Sequence, residues 1–142
     1  MAKLRGAFTA LVTPMFEDGS IDYEGWRKLI QLQLEGGISG LVPLGTTGET
    51  PTLEESPEEE KLIEIVVSEV KQYKEKLAKE GKSRDIPVIL GASSNNTKDA
   101  VKYVQRAKDM GADYALVVTP YYNKPSDEGI FRHFEAVSKV GL

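Results

Sequence analysis

The residues best suited to chemistry lie in a short glycine-bounded loop, GTTGE, at residues 45–49. Gly45 and Gly48 enclose Thr46 and Thr47, so two hydroxyls and two backbone N–H groups can point toward one place. Such donors suit a carboxylate or phosphate oxygen, because hydrogen bonds to an ionised acceptor are the stronger kind. The loop lacks the Gly-Lys-Ser/Thr ending of a P-loop. Spacing alone favours a plainer interpretation, a glycine turn whose threonines bond nearby backbone groups.

Four further side chains are candidates: those of Tyr121, Tyr122, His133 and Glu49. Tyr121 and Tyr122 occur in the segment TPYYNKP, where a tyrosine hydroxyl could relay a proton, although neighbouring tyrosines beside proline more often pack at interfaces. His133 is the only histidine and is flanked by aromatic residues, which favours a packing role. Glu49 is expected to anchor its loop through local hydrogen bonds. None of these patterns specifies a reaction by itself.

Composition excludes several classes of function. The chain has 142 residues, a formal net charge of -4 and no cysteine, so disulfides and thiolate metal sites are ruled out. Basic residues are scattered among glutamates, which argues against nucleic acid or an anionic membrane as partner. No apolar run reaches the roughly 18 residues of a spanning helix, and no signal-peptide pattern opens the sequence. We expect a cytoplasmic protein with neither a metal site nor a cofactor.

Apolar runs and helical patterns alternate along the whole chain. Strands are predicted at residues 6–14, 40–44, 86–92 and 113–120, and helices at 22–35, 57–79, 97–111 and 126–140. Asp22 and Asn96 are predicted to cap the first and third helices, and Ser126 or Asp127 the fourth. A capping box that begins at Ser56 is predicted for the second helix. Continuous apolar strands between helices indicate a parallel sheet covered by helices, in a single domain over residues 1–142.

Two arrangements fit this order: a small doubly wound sheet, or half of a (β/α)8 barrel. In both, ligands bind at the carboxyl ends of the strands. Those ends read TPMFEDGS, GTTGETPT, GASSNNT and TPYYNKPS, and all four are rich in hydroxyls, amides or glycine. Any chemistry is therefore expected along this rim, where Asn95 and Asn96 should shape the third loop.

The rim motifs together resemble those of one enzyme family. AFTALVTPM, GLVPLGTTGETPTL and VTPYYNKPSDEGIFRHF, in that order, closely resemble the N-terminal half of the dihydrodipicolinate synthase (4-hydroxy-tetrahydrodipicolinate synthase) family. The resemblance implies an α/β fold of the (β/α)8 TIM-barrel kind, of which this chain covers about the first four βα units. It also implies condensation of pyruvate with aspartate semialdehyde through a Schiff base, in lysine and diaminopimelate biosynthesis. The related N-acetylneuraminate lyases usually have serine first in the loop and lack the Tyr-Tyr-Asn-Lys-Pro sequence.

The resemblance also assigns roles to rim residues. Thr47 is similar to the threonine that binds the pyruvate carboxylate, and Thr46 to a threonine of the family's proton relay. Tyr122 resembles the relay tyrosine that reaches across a tight dimer interface into the neighbouring subunit's site. Gly45, Gly48 and Glu49 match the supporting positions of the loop motif. A homo-oligomer is the implied assembly.

Departures from the family pattern limit what this chain could do alone. The family's imine-forming lysine lies on the sixth strand, and the four predicted strands here contain no lysine. We therefore expect the isolated chain to be inactive and to self-associate or pair with a complementing C-terminal half, because half a barrel leaves open edges. A non-catalytic half-barrel subunit and a purely structural fragment remain alternatives. Ser93 stands where the family usually has glycine, which should make the backbone there less free.

Overall fold

Four strands alternate with four helices in the computed structural model, which describes residues 4–142 apart from the side chain of Ser56. The strands are β1 (Phe8–Ala10), β2 (Gly40–Val42), β3 (Ile89–Gly91) and β4 (Tyr114–Leu116). The helices are α1 (Tyr23–Glu35), α2 (Glu60–Lys79), α3 (Thr97–Asp109) and α4 (Asp127–Ser138). The predicted alternation is confirmed. No helix among these residues is both long enough and apolar enough to cross a membrane.

The strands lie side by side in sequence order. β1 pairs with β2, and β3 with β4, both in parallel. A parallel bridge between Leu41 and Val88 joins the two pairs, with bonds from Leu41 N to Pro87 O (3.0 Å) and from Gly91 N to Pro43 O (2.9 Å). A doubly wound sheet would reverse its strand order at a switch point. The order 1-2-3-4 is instead that of consecutive barrel units, so the barrel alternative is the right one.

All four strands are shorter than predicted. Each ladder has three residues, whereas the apolar runs extend over five to nine positions. Every one of these runs contains a proline, at Pro14, Pro43, Pro87 or Pro120. Proline has no N–H to donate and so interrupts regular pairing. The existence of the strands was predictable from hydrophobicity, and Pro43, directly after β2, and Pro87, two residues before β3, lie close to the ends of two ladders.

Three of the predicted helix caps are confirmed. Asp22, Asn96 and Ser126 each accept a hydrogen bond from a backbone N–H in the first turn of their helix, at 2.8, 3.1 and 3.3 Å respectively. These bonds satisfy donors that a helix terminus otherwise leaves unpaired. They also fix the point at which each rim loop becomes a helix.

The start of the second helix differs from the prediction. A wide π-type turn, Glu55–Glu59, precedes α2, and the Glu54 N–H donates to the Glu58 carboxylate at 2.9 Å. The predicted capping box instead used the Ser56 side chain, which lies outside the described residues, together with Glu59. That assignment is wrong for Glu59, because its carboxylate is bound elsewhere.

Glu59 belongs to an ion cluster that joins the wide turn to α3. Its carboxylate pairs with Arg106, whose other terminal nitrogen donates to the Glu55 backbone carbonyl at 3.1 Å. Lys102 pairs with the Glu55 carboxylate at 2.7 Å, and this hydrogen bond lowers the pKa of Glu55. Burial raises the pKa of Glu59, and Arg106 partly offsets that rise. The cluster therefore attaches the α2 start to a neighbouring helix.

The core lies between the helices and one face of the sheet. Trp26, Ile30 and Leu34 of α1 are buried, as are Leu62 and Val66 of α2. The opposite face of the sheet is open, since Val12 and Leu116 are each 51% exposed. The predicted inner stripes are largely confirmed, although Leu29, Tyr73 and Val101 are only half-buried.

β3 crosses very close to the end of β2. A Cβ added to Gly91 would lie 1.8 Å from the Leu44 carbonyl oxygen and 2.4 Å from its carbonyl carbon. Leu44 itself is buried and has a left-handed backbone, with φ of 54°. Only glycine permits this approach, so Gly91 lets the chain turn sharply out of β2 into the loop that carries the threonines.

Replacing Gly91 with alanine should destabilise the chain by about 3 kcal/mol or more, at the upper end of overpacking costs, because backbone atoms cannot move aside. The free energy of unfolding, measured with urea, checks this. Gly45→Ala is the matched control, since a Cβ at Gly45 meets nothing within 4 Å. Equal stability of the two variants would contradict the prediction.

Replacing Arg106 with alanine should cost about 2–3 kcal/mol at pH 7, because it leaves the Glu59 carboxylate buried without its partner. The pKa of Glu59 should rise further, and a raised pKa favours folding only while the group is protonated. The loss in the free energy of unfolding, relative to the unmodified chain, should therefore become smaller as the pH falls from 7 to about 4.

Lys102→Ala is the control for the Arg106 variant, because the Lys102 side chain is 64% exposed and its loss should cost below about 1 kcal/mol. Urea denaturation at pH 7, 5.5 and 4 gives the measurement. A deficit for Arg106→Ala that stays constant or grows toward acid pH would count against the ion-pair explanation.

Candidate functional site

The glycine-bounded loop emerges at the carboxyl end of β2 as two consecutive 3-10 turns. Thr46–Gly48 forms the first turn and Thr50–Thr52 the second. Two non-glycine residues with left-handed backbones, Leu44 (φ 54°) and Glu49 (φ 55°), lie on either side of the first turn. Such conformations are costly and persist only where surrounding contacts hold them. The first turn therefore has a conformation imposed by its neighbours.

Other threonines hold the loop in place. The Thr13 hydroxyl donates to the Gly48 carbonyl at 2.7 Å, and the Thr50 hydroxyl donates to the Gly45 carbonyl at 3.2 Å. Thr13 lies beyond β1 and is buried, so its bond ties the loop to the neighbouring strand end. Sequence reasoning did not single out either residue. The available signal was a hydroxyl at a strand end, next to a loop whose carbonyls need donors.

Thr46 and Thr47 differ from these supporting threonines. Both side chains are exposed, and within residues 4–142 neither hydroxyl has a hydrogen-bond partner. Their backbone N–H groups, the first two of the turn, also find no acceptor in the described part of the chain. Contrary to the plainer interpretation of a glycine turn, the Thr46 and Thr47 hydroxyls therefore do not bond backbone groups of their own turn.

Glu49 anchors the loop through its backbone. Its N–H donates to the Thr46 carbonyl at 3.1 Å, and its carbonyl accepts from both the N–H and the hydroxyl of Thr52, at 2.9 and 2.8 Å. Its carboxylate is exposed and has no hydrogen bond among the described residues. The local anchoring expected of Glu49 is thus present, but the main chain supplies it.

Tyr122 lies on the same rim, in the loop that follows β4. Its side chain is 93% exposed, and its backbone is left-handed, with φ of 66°. β2 and β4 are separated by β3, which places the two loops roughly 10 Å apart at two strand spacings. No hydrogen bond joins Tyr122 to Thr46 or Thr47 in the part of the chain that the structure describes. The Tyr122 side chain is therefore exposed to solvent and is not bonded to the threonine turn.

The third loop connects to the fourth through amide side chains. Asn95, which follows β3, bonds to Asn123, which follows Tyr122. Asn123 was not among the sequence candidates, and its amide partner is 28 residues away, so spacing offered no signal. Ser93 also reaches the β4 end through its hydroxyl. Its φ is not left-handed, so this position does not require glycine.

His133 is a buried contact between two helices. It is 2% exposed, its Nδ1 lies 3.0 Å from the Thr97 hydroxyl, and its ring meets Phe134 edge to face. These contacts agree with the packing role expected from its aromatic neighbours. No group of three or more metal-ligating side chains occurs among residues 4–142.

No lysine within the described residues is buried. Lys124, the only one on a rim loop, is exposed and has a left-handed backbone, with φ of 48°. A lysine that forms an imine has to be desolvated or placed beside another cation, so that its pKa falls and the neutral amine can attack. The described rim thus offers hydroxyl and amide donors without a suitable nucleophile.

Comparisons with known proteins place this architecture in one family. The sequence profile described as the dihydrodipicolinate synthetase family matches residues 3–141. The 4-hydroxy-tetrahydrodipicolinate synthase of Bartonella bacilliformis is 50% identical over 137 residues, which are 96% of this chain and 42% of that protein.

Solved structures agree with the sequence match. The dihydrodipicolinate synthase of Acinetobacter baumannii, described as chloride inhibited and complexed with pyruvate, superposes with a TM-score of 0.85 at 36% identity. That match covers 97% of this chain and 43% of the other. The enzyme of Thermotoga maritima gives a TM-score of 0.82 at 43% identity, over 95% and 41% of the two chains.

The chain thus spans less than half the length of the relatives that it matches. Over that length, the strand order is that of consecutive units of a (β/α)8 barrel, and the superposition covers almost the whole chain. The chain belongs to the dihydrodipicolinate synthetase family.

Proposed function

We propose that this chain supplies the substrate-orienting half of a dihydrodipicolinate synthase-like site. The reaction is the condensation of pyruvate with aspartate semialdehyde through a Schiff base, on a lysine that is not among the described residues. The observation that carries the proposal is the state of Thr46 and Thr47. Their hydroxyls are exposed and have no hydrogen-bond partner among residues 4–142, on a turn that other residues hold in place.

Thr47 is the proposed ligand of the pyruvate carboxylate. Its hydroxyl and the unpaired N–H groups of the turn can donate together to an ionised acceptor, and such charge-assisted bonds are stronger than neutral ones. The turn is held by Thr13 and Thr50, so little conformational freedom is lost when a ligand binds. Preorganised donors would orient the keto carbon for attack.

Thr46 and Tyr122 are the proposed proton relay. A Thr–Tyr hydroxyl chain can move protons during imine and enamine steps. Within one chain Tyr122 is too far from Thr46 to bond, and its side chain projects into solvent. This geometry supports a homo-oligomer in which Tyr122 completes the site of a neighbouring subunit.

The nucleophile is proposed to come from a complementing C-terminal half. The exposed apolar residues on the open face of the sheet, Val12 and Leu116 among them, support such pairing, because soluble proteins rarely leave a contiguous apolar face uncovered. The setting is proposed to be cytoplasmic, with small-molecule substrates rather than nucleic acid or membrane as partners.

A non-catalytic half-barrel subunit is the second candidate. The turn that carries Thr46 and Thr47 supports it, since such a subunit would need only a carboxylate-binding turn that other residues hold in place. Calorimetry with pyruvate, with and without a lysine-bearing partner half, separates the two candidates. A catalytic half should bind and turn over substrates only in the complex, whereas a binding subunit should bind pyruvate and never support turnover.

The isolated chain is expected to form no imine with pyruvate, because every described lysine is at least partly exposed, whereas an imine-forming lysine has to be desolvated or placed beside another cation. Incubation with pyruvate and borohydride, followed by intact-mass measurement, should leave the mass unchanged. The same treatment of a complex that contains the lysine strand is the positive control. A stable pyruvyl adduct on one specific lysine of the isolated chain would contradict this expectation.

In an active complex with a lysine-bearing half, Thr47→Val should raise the KM for pyruvate about tenfold to a hundredfold, the loss expected for one hydrogen bond to a charged group. Thr52→Val is the matched control, because the Thr52 hydroxyl bonds only the Glu49 carbonyl of its own turn. Steady-state kinetics with pyruvate varied gives the measurement. The same KM for both variants would remove Thr47 from the carboxylate site.

A further inference from the structure

We propose that Ser93, Asn95 and Asn123 are positioning residues that hold Tyr122 in its strained conformation on the rim. This inference rests on the proposed function, because it concerns the tyrosine of the proposed relay. None of the three residues would contact substrate. They would act by joining the end of β3 to the loop that follows β4.

The Tyr122 loop is strained. Tyr122 (φ 66°) and Lys124 (φ 48°) both have left-handed backbones, and neither is glycine. Between them, the Asn123 N–H donates to the Tyr121 carbonyl at 2.7 Å and closes a tight turn. Left-handed non-glycine residues are unfavourable and persist only where the surroundings over-determine them. Tyr121, Tyr122 and Lys124 are all exposed, so burial does not hold the turn.

One amide pair supplies the tertiary hydrogen bonds of this turn. The Asn123 Nδ2 donates to the Asn95 backbone carbonyl at 2.9 Å, and the Asn95 Nδ2 donates to the Asn123 Oδ1 at 3.2 Å. Among the described residues, the segment 121–125 makes no other hydrogen bond to a distant part of the chain. Because both polar atoms of the Asn123 amide are engaged, its orientation is defined, and Tyr122 is attached directly to it.

Ser93 extends the join between the two strand ends. The regular β3–β4 ladder stops at the pair Gly91 and Leu116. Two residues later the Ser93 hydroxyl donates to the Leu116 carbonyl at 3.2 Å and accepts from the Val118 N–H at 3.0 Å. One side chain thus bonds two backbone groups of the outgoing strand. A glycine at this position could make neither bond, so the connection between the two strand ends depends on the Ser93 hydroxyl.

The Ser93 hydrogen bonds and the Asn95–Asn123 pair restrain successive parts of the chain that leads to Tyr122. Ser93 keeps the chain leaving β4 beside β3, and the Asn95–Asn123 pair then fixes the turn four to five residues further on. Proton transfer is sensitive to displacements of about 1 Å, since donor and acceptor must stay within hydrogen-bond reach. A strained turn that is held by two asparagines, and whose Tyr121, Tyr122 and Lys124 side chains are exposed, fits such a requirement better than it fits a stabilising role.

The first arm of the test needs only the full 142-residue chain. Asn123→Asp removes the Nδ2 donor and keeps the acceptor, and Ser93→Ala removes the bridging hydroxyl. Each should increase the rate of chymotrypsin cleavage after Tyr121 or Tyr122 about tenfold, with the urea midpoint unchanged. Ser94→Ala is the matched control, because that hydroxyl accepts only from the nearby Asn96 N–H. Ser93→Thr, which retains the hydroxyl, should restore slow cleavage.

The second arm uses the active complex with a lysine-bearing half. Asn123→Asp and Ser93→Ala should lower kcat about tenfold or more and leave the KM for pyruvate unchanged, since the Thr47 turn is untouched. Cleavage rates equal to that of the control would overturn the proposal, and so would faster cleavage with an unaltered kcat. If the unmodified complex has no activity, the proposed function fails, and the cleavage rates still decide whether the three residues hold Tyr122.

Discussion

The close approach of β3 to the end of β2 is the constraint on which the rim depends. Gly91 lies against the Leu44 carbonyl at a distance that no side chain allows, and Leu44 turns there with a left-handed backbone. If β3 and the end of β2 lay further apart, the hydrogen bond from Gly91 N to Pro43 O would break. This bond helps to join the two strand pairs into one sheet. The threonine turn begins two residues after Leu44, so its direction follows from this crossing.

Hydroxyl groups along the rim divide into those that build the loops and those that are left free. Thr13, Thr50 and Ser93 bond backbone groups where the chain has left the regular ladder. Thr46 and Thr47 have the same chemistry but no protein partner in the described residues. The difference follows from position, because buried or adjacent carbonyls need donors, whereas the outer side of the turn faces solvent. The free pair is therefore the one available to a ligand.

Charge has a structural role on this chain that its net value does not reveal. Arg106 reaches from α3 to Glu59 and to the Glu55 carbonyl, and this long-range pair takes the place of a local capping box. Burial of the Glu59 carboxylate makes the pair necessary, because an unpaired charge there would be costly. Local capping rules failed at this point because a tertiary contact competes for the same carboxylate.

The sequence by itself determined the alternation of strands and helices, three of the helix caps and the polar character of the rim. These features depend on hydrophobic periodicity and on side chains within a few residues of each other. Its motifs also indicated the family, which the comparisons confirmed. Only the tertiary structure decided the strand order, the short three-residue ladders and which hydroxyls have no partner among the described residues. It alone decided the Asn95–Asn123 pair as well, because contacts between residues 28 positions apart depend on how the strands lie side by side.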